Sequence, residues 1–354
     1  MTSSTSPPAA TSPGAADRVN ARGKALPLVL LALLGACSPA YVLRSAAGHA
    51  GLLWRRQPLE KTIADPRTPE PLRRKLAACV AVRRFAFETL GLKRSHDYEK
   101  WTPVEGPAVT WLVSASERLR LKSREFSFPF IGSFPYKGHF RRAAAEKEAA
   151  ALEAKGFDAA VSGAAAYNTP LPIADPLPQT LLAYSEGDLA ETLIHELAHG
   201  AVFFKDRMEF NEAAASWVGR RGAESCLEAL HGPDSAQLRE WRAGLAEQDR
   251  RDALYKELRG RLETLYAGPG ADGDKLQGRD AAFAWARREA GRRGIRLPER
   301  LNNATVLAHE LYAPDFAPFD ALLAKNRGDW PRTLAALRAL DRKDPLGSLR
   351  RDAK

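Results

Sequence analysis

The stretch Leu193-Ile194-His195-Glu196-Leu197-Ala198-His199-Gly200 decides how this chain of 354 residues is read. On a helix, positions four apart are separated by about 400°, so His195 and His199 project from one face and can close on a single ion. Glu196 sits beside them, offset from ligation but near enough to take a proton from a metal-bound water. The spacing is HExxH, the signature of zinc-dependent hydrolases, and chance alone yields it in roughly one chain in a hundred of this length.

The surroundings support a helix. Leu189, Leu193, Ile194, Leu197 and Ala198 form an apolar stripe across Asp188 to Ala201, the pattern of a helix buried on one side. Thirteen positions after His199 comes Glu212, in Phe210-Asn211-Glu212-Ala213-Ala214-Ala215-Ser216-Trp217. That segment reads as a second apolar helix ending near Gly222, reached through a break at Gly200 and a polar turn at Lys205-Asp206-Arg207. The return places Glu212 as third ligand, and two histidines, a carboxylate and an open position form the donor set of catalytic zinc. The spacing to Glu212 is shorter than the thermolysin-type pattern. The competing reading makes the histidines ordinary core or surface residues and Glu212 an acid favoured at a helix start by the macrodipole.

Hydrophobic residues are 45% of the chain, enough for one large or two modest domains. The formal charge is +10; residues 1–36 hold three basic residues and one acidic, so the remainder is near +8. No DNA- or RNA-binding signature accompanies this charge, and Arg and Lys are spread along helical periods as on solvated faces. No nucleic-acid partner is expected.

Residues 1–17 are rich in Ser, Thr, Pro, Gly and Ala, after which Arg18, Arg22 and Lys24 precede the apolar run from Ala25 to Ala36. This is a signal-peptide layout, and the run is too short for a spanning helix of roughly twenty residues. It ends in Leu33-Leu34-Gly35-Ala36-Cys37, which resembles a bacterial lipobox with Cys37 as the lipidated residue. Ser38 follows in place of an acidic residue, which by analogy favours the outer membrane. The expectation is a chain anchored by lipid in the cell envelope and facing the periplasm. A conventional secretory signal or an uncleaved anchor is the alternative. Cys79 and Cys226 remain, each in an apolar helical stretch, to pair in an oxidising periplasm or to stay as buried thiols.

Along the rest of the chain, helices are expected from Cys37 to about Arg56, from Leu72 to Leu90 and from Arg141 to Lys155. Val109 to Val113, Phe126 to Ile131 and Phe157 to Val161 read as strands. Tyr167 to Pro178 carries four prolines, so it is an edge strand or loop that could border the substrate cleft. A charged helical hairpin is expected from Ser235 to Tyr266 and from Asp280 to Arg292 around the turn Gly268 to Gly273, then a helical part from Leu301 to about Leu340. The fold class is therefore α+β and mostly helical, with a small mixed sheet. Its parts are a lead and signal at 1–36, an N-terminal helical segment at 37–107, a catalytic core at 108–226 and a helical C-terminal part at 227–345.

Several motifs together resemble a family of bacterial proteins called predicted aminopeptidases, many of them lipoproteins. They are Phe128-Pro129-Phe130-Ile131-Gly132 with Pro135-Tyr136-Lys137-Gly138, Ala166-Tyr167-Asn168-Thr169, Ile194 to His199 with Asn211-Glu212, and Leu301-Asn302-Asn303-Ala304. The likeness extends from Cys37 to roughly Asp341. Ser133 stands where the family pattern often has cysteine. The resemblance implies a zincin-like metallopeptidase core with one zinc ion per chain, acting on peptide or protein substrates.

The chemistry expected follows from these residues. His195, His199 and Glu212 hold zinc, and Glu196 is the general base that later delivers its proton to the leaving amine. The developing oxyanion needs a further donor; Tyr312 is the first candidate, with Tyr136 and Tyr167 behind it. Ser216, one turn beyond Glu212, either hydrogen-bonds a ligand or packs, Asn302 and Asn303 either cap a helix or reach substrate, and His309 is structural. An envelope endopeptidase, or a lipid-tethered zinc-containing scaffold without hydrolytic activity, are the rival functions. Manganese, cobalt or iron would suit the same ligand types.

Overall fold

The computed structural model describes residues 39–128, 132–165, 173–310 and 315–352. Cys37 with its signal segment, the run 129–131, the Ala166-Tyr167-Asn168-Thr169 motif and Tyr312 lie outside the described residues. Mostly helical, with small mixed sheets, the chain is α+β as its patterning predicts.

The element order begins with helix α1 (Pro39–Trp54), strand β1 (Gln57–Pro58), and helices α2 (Leu59–Ala64) and α3 (Glu70–Glu88). Strands β2 (Lys100–Thr102), β3 (Thr110–Glu117), β4 (Phe126–Phe128), β5 (Gly132–Phe134) and β6 (Tyr136–His139) follow, then α4 (Arg142–Glu153), β7 (Phe157–Ala164) and β8 (Leu177–Pro178). The remainder is helical: α5 (Glu186–His199), α6 (Met208–His231), α7 (Ala236–Ala267), α8 (Asp272–Arg293), α9 (Asn303–Glu310), α10 (Ala317–Lys325), α11 (Trp330–Arg338) and α12 (Pro345–Asp352).

Helix α5 forms where the stripe predicts it. The Ser185 hydroxyl oxygen caps it by accepting the Asp188 N–H at 3.1 Å, and Glu186 and Asp188 set negative charge in the first turn. Leu189, Leu193, Ile194 and Leu197 are buried against α3 and α6. Each such side chain stabilises the fold by about 1.5–3 kcal/mol relative to exposure. Trp217, Phe210 and Phe319 complete this main core, with ring centroids 5.5 Å apart for Trp217 and Phe319 and 6.0 Å apart for Phe210 and Phe319.

Helix α6 corrects an expectation. Gly222 does not end it, and the helix continues to His231. A Cβ at Gly222 would lie 2.8 Å from Leu90 Cδ1 and 2.9 Å from Ile194 Cγ2. This glycine therefore serves close helix packing and breaks nothing. In the hairpin, α8 starts at Asp272, eight residues before its expected start at Asp280. The expected C-terminal helical part is divided into short helices, with Pro318 and Pro331 in the first turns of α10 and α11.

Strands β6, β3 and β7 form one antiparallel sheet in that order, with Ser114 opposite Tyr136 and Val113 opposite Val161. One face buries Val113, Ala115 and Ala159 against Ala145, Ala149 and Leu152 of α4. Helix α9 also packs against β3 and β7. In a second sheet β2 pairs antiparallel with β1 and parallel with β8, so Pro178 occupies an edge strand, where its missing N–H is tolerated. Cys79 of α3 and Cys226 of α6 are buried free thiols, each pushed up to about 12, chiefly by burial. Among the described residues, no helix is long and apolar enough to cross a membrane.

Candidate metal centre

Helices α5 and α6 run antiparallel: Glu212 faces His195 and His199 at one end, and His231 contacts Glu186 at 2.6 Å at the other. Their approach is made possible by Gly219, where a Cβ would stand 2.9 Å from both the Glu191 carbonyl oxygen and His195 Cβ. Asn211 sets the start of α6. Its side chain accepts from the Phe204 N–H and donates to the Phe204 carbonyl, both at 2.8 Å. The turn between, with Asp206 at φ 59°, thus enters α6 at a fixed angle.

The result is a convergent set of ligand atoms. His195 Nε2 and His199 Nε2 are 3.2 Å apart, with Glu212 Oε2 at 3.7 Å from the first and Oε1 at 3.8 Å from the second. One atom from each of the three residues lies within 4.8 Å of the others. Two nitrogens held by one zinc at a tetrahedral angle would stand about 3.3 Å apart, so the observed pair fits such an ion. Protonation also suits ligation. Burial, then the neighbouring His199, pushes the His195 imidazole down to about 3. Burial likewise pushes His199 down, against the pull of Glu212. Both rings are therefore neutral near pH 7, and their approach to Glu212 is that of donor atoms around one point rather than of charged partners. Ser216 Oγ lies 3.5 Å from His195 Nδ1, in position to orient the ring.

Glu196 occupies the place its spacing predicts. Burial, then the charges of Glu212 and Asp175, pushes its carboxyl up to about 7, and it makes no hydrogen bond to a described residue. Asp175 arrives from the proline-rich segment ahead of α5, where its N–H donates to Asp97 Oδ1 at 3.0 Å and its carbonyl accepts from the Tyr98 N–H at 2.8 Å. Asp175 therefore borders the site. Tyr136 opens the edge strand β6; burial raises its hydroxyl, and Glu212 and Glu196 raise it further, so both carboxylates act on it.

Two motif asparagines lie elsewhere. Asn302 Oδ1 accepts from the Thr305 N–H at 3.1 Å and caps α9, while its amide donates to the Ala159 carbonyl at 2.8 Å. Asn303 is fully buried; its amide donates to the carbonyls of Glu117, Arg118 and Arg120, and its Oδ1 accepts from Tyr266. Both are structural ties between α9 and the sheet. His309 is paired with Asp252 at 2.7 Å and stacked on Tyr255.

Sequence reasoning did not single out Glu191 and Arg220. They face each other one turn past His195 and Ser216, lining a cavity of about 470 Å³ beside the histidine. Their signal was the helical spacing Glu191 to His195 and the equal steps from Glu212 to Ser216 to Arg220.

Comparison with curated proteins and with solved structures finds no match. A family model does match nearly the whole described chain. With the HExxH helix, the downstream glutamate and the asparagine tie now in place, the chain belongs to the putative aminopeptidase family, matched over residues 40–351.

Proposed function

We propose that this chain is a zinc metallopeptidase that removes residues from the amino termini of peptides in the bacterial cell envelope. The observation that carries the reading is the convergence of His195, His199 and Glu212 within 4.8 Å, with the buried Glu196 next to His195 on the same helix. Membership of the family supports peptide hydrolysis. A zincin-like arrangement, in which an edge strand borders the metal helix, is the structural form of this proposal.

Zinc, when bound, supplies Lewis acidity that brings the pKa of a water toward about 7. His195 and His199 offer neutral Nε2 atoms and Glu212 a carboxylate to hold it. Glu196 takes the proton of the attacking water and hands it to the departing amine, a task suited to a carboxyl poised near neutrality. For the donor to the developing oxyanion our candidate among the described residues is Tyr136, on which the charges of Glu212 and Glu196 act; Tyr312 and Tyr167 lie outside them.

Replacement of Glu196 by Gln tests the core of the reading. We expect zinc content and melting temperature to persist while hydrolysis of a mixed peptide library falls by several orders of magnitude. Retained hydrolysis sinks the assigned role. In the wild type, trimming from amino termini is expected, and internal cuts would make the protein an endopeptidase. The envelope location is part of the proposal and rests on Cys37; Cys37→Ser should release the protein from the membrane fraction, and unchanged partitioning would remove the lipid anchor.

A further inference from the structure

The cavity beside His195 continues along α5 toward the helix start, lined by Asp188, Glu191, Thr192, Arg220, Gln248 and Phe316. Glu191 and Arg220 form its middle rung as a loose ion pair. Glu191 Oε2 accepts from the Trp241 indole at 3.1 Å, but Oε1 stands 3.8 Å from Arg220 Nε, beyond hydrogen-bonding distance. Arg220 Nε is buried without a hydrogen-bond partner among the described residues, while Nη1 of the same side chain reaches Asp249 at 3.5 Å. Charge in this part of the cavity is unbalanced. Asp188, Glu191 and the bordering Asp249 outnumber Arg220, leaving two negative charges in excess apart from those of Glu196 and Glu212.

Reach separates the acids. In a peptide the α-nitrogen lies about 2.5 Å from the carbonyl carbon of the same residue. An acid that holds that nitrogen, with the carbon at the metal centre, must sit about one helical turn from the ligands. Glu191 is four residues before His195, about 6 Å along the axis, whereas Asp188 is about 10 Å away and is already engaged by the Ser185 hydroxyl.

We propose that the Glu191 carboxylate is the anchor for the free α-ammonium of the substrate, which makes an unblocked peptide amino terminus the substrate class of this site. The proposal rests on the peptidase reading for its function, though not for its binding. Trp241 by its hydrogen bond and Arg220 by its charge hold the carboxylate in place. An acetylated amino terminus brings no positive charge to this rung and is excluded by the cost of desolvating Glu191 without a new partner.

The test is equilibrium binding of L-leucinamide and N-acetyl-L-leucinamide to the full-length protein, by calorimetry, for wild type and Glu191→Gln. We expect wild type to bind the free amine at least about tenfold more tightly than the acetylated amide, and Glu191→Gln to lose that preference. Equal binding of the two amides to wild type overturns the proposal whether or not the variant folds. A preference retained in a folded Glu191→Gln protein overturns the assignment to this residue. Hydrolysis is read separately on the same preparations. Selective binding of the free amine without cleavage would sink the peptidase reading and leave the anchor standing; cleavage indifferent to acetylation would do the reverse.

Discussion

Gly219 of α6 faces His195 of α5 so closely that an added Cβ would stand 2.9 Å from the Cβ of the histidine. The Glu191 carbonyl oxygen lies equally close to that point, and it is backbone, so it cannot swing aside. In an open helix interior Gly→Ala gains about 0.8–1 kcal/mol, but overpacking here costs about 1–3 kcal/mol. Gly219→Ala is therefore expected to lower stability and to weaken zinc affinity by about 10–100-fold, since it shifts a ligand helix. Gly244→Ala, with nothing within 4 Å, should raise the melting temperature. Thermal melts and zinc titration check both; a stabilised Gly219→Ala protein would show that the helices are free to separate.

Glu212 supplies the carboxylate of the centre from a different helix than the histidines. Glu212→Ala should leave a folded chain whose zinc affinity falls by at least about a hundredfold, measured by competition with a chromophoric chelator. Chelation of the wild type should lower its melting temperature by linkage, and should do little to the variant. Equal zinc affinity in the two proteins would remove Glu212 from the ligand set.

Asp158 of β7 and Arg279 of α8 meet at 2.5 Å, with each side chain about nine-tenths buried or more. Asp158 also accepts from the Asn303 N–H at 3.0 Å. Removing one partner strands a buried charge, so Asp158→Ala is expected to cost about 3–5 kcal/mol in denaturant unfolding. A loss under about 1 kcal/mol would mean that water reaches the pair.

Asp320 carries a pH dependence with a definite sign. Burial raises its carboxyl, but hydrogen bonds from Arg221 and Trp217 outweigh that and hold it below the ordinary carboxylate range. Its stabilisation is thus full above the unfolded pKa of about 3.9 and is lost as pH falls through the lower folded value. Its side chain is over one-third exposed, so we expect Asp320→Asn to cost only about 1–2 kcal/mol at pH 7. The difference from wild type should narrow below pH 4. A gap constant from pH 7 to pH 3 would contradict the assignment.

The sequence made the site legible because its chemistry is local. His195, Glu196 and His199 are fixed by one helix, and Glu212 lies one short turn and a few residues beyond. What depends on distant contacts was hidden. Gly222 carries the signal of a helix end, yet its role is set by Leu90 and Ile194. The strand Tyr136-Lys137-Gly138-His139 is too short to show alternation, and it exists because β3 offers it a ladder. The Asn302-Asn303 pair reads equally as cap or contact until Ala159, Glu117 and Tyr266 are brought to it. The breaks in the C-terminal helices were visible as prolines, but the packing of Phe319 and Trp330 onto Trp217 was not.

The 32 residues of α7 span about 48 Å. Near one end Trp241 fills the space above Gly187 of the metal helix; near the other Tyr266 is bonded to Asn303 beside the sheet. One continuous helix thus ties the metal helix to the sheet. Moving the two apart would require that helix to bend or one of these contacts to break. The length of α7 thus fixes how far the metal helix stands from the sheet.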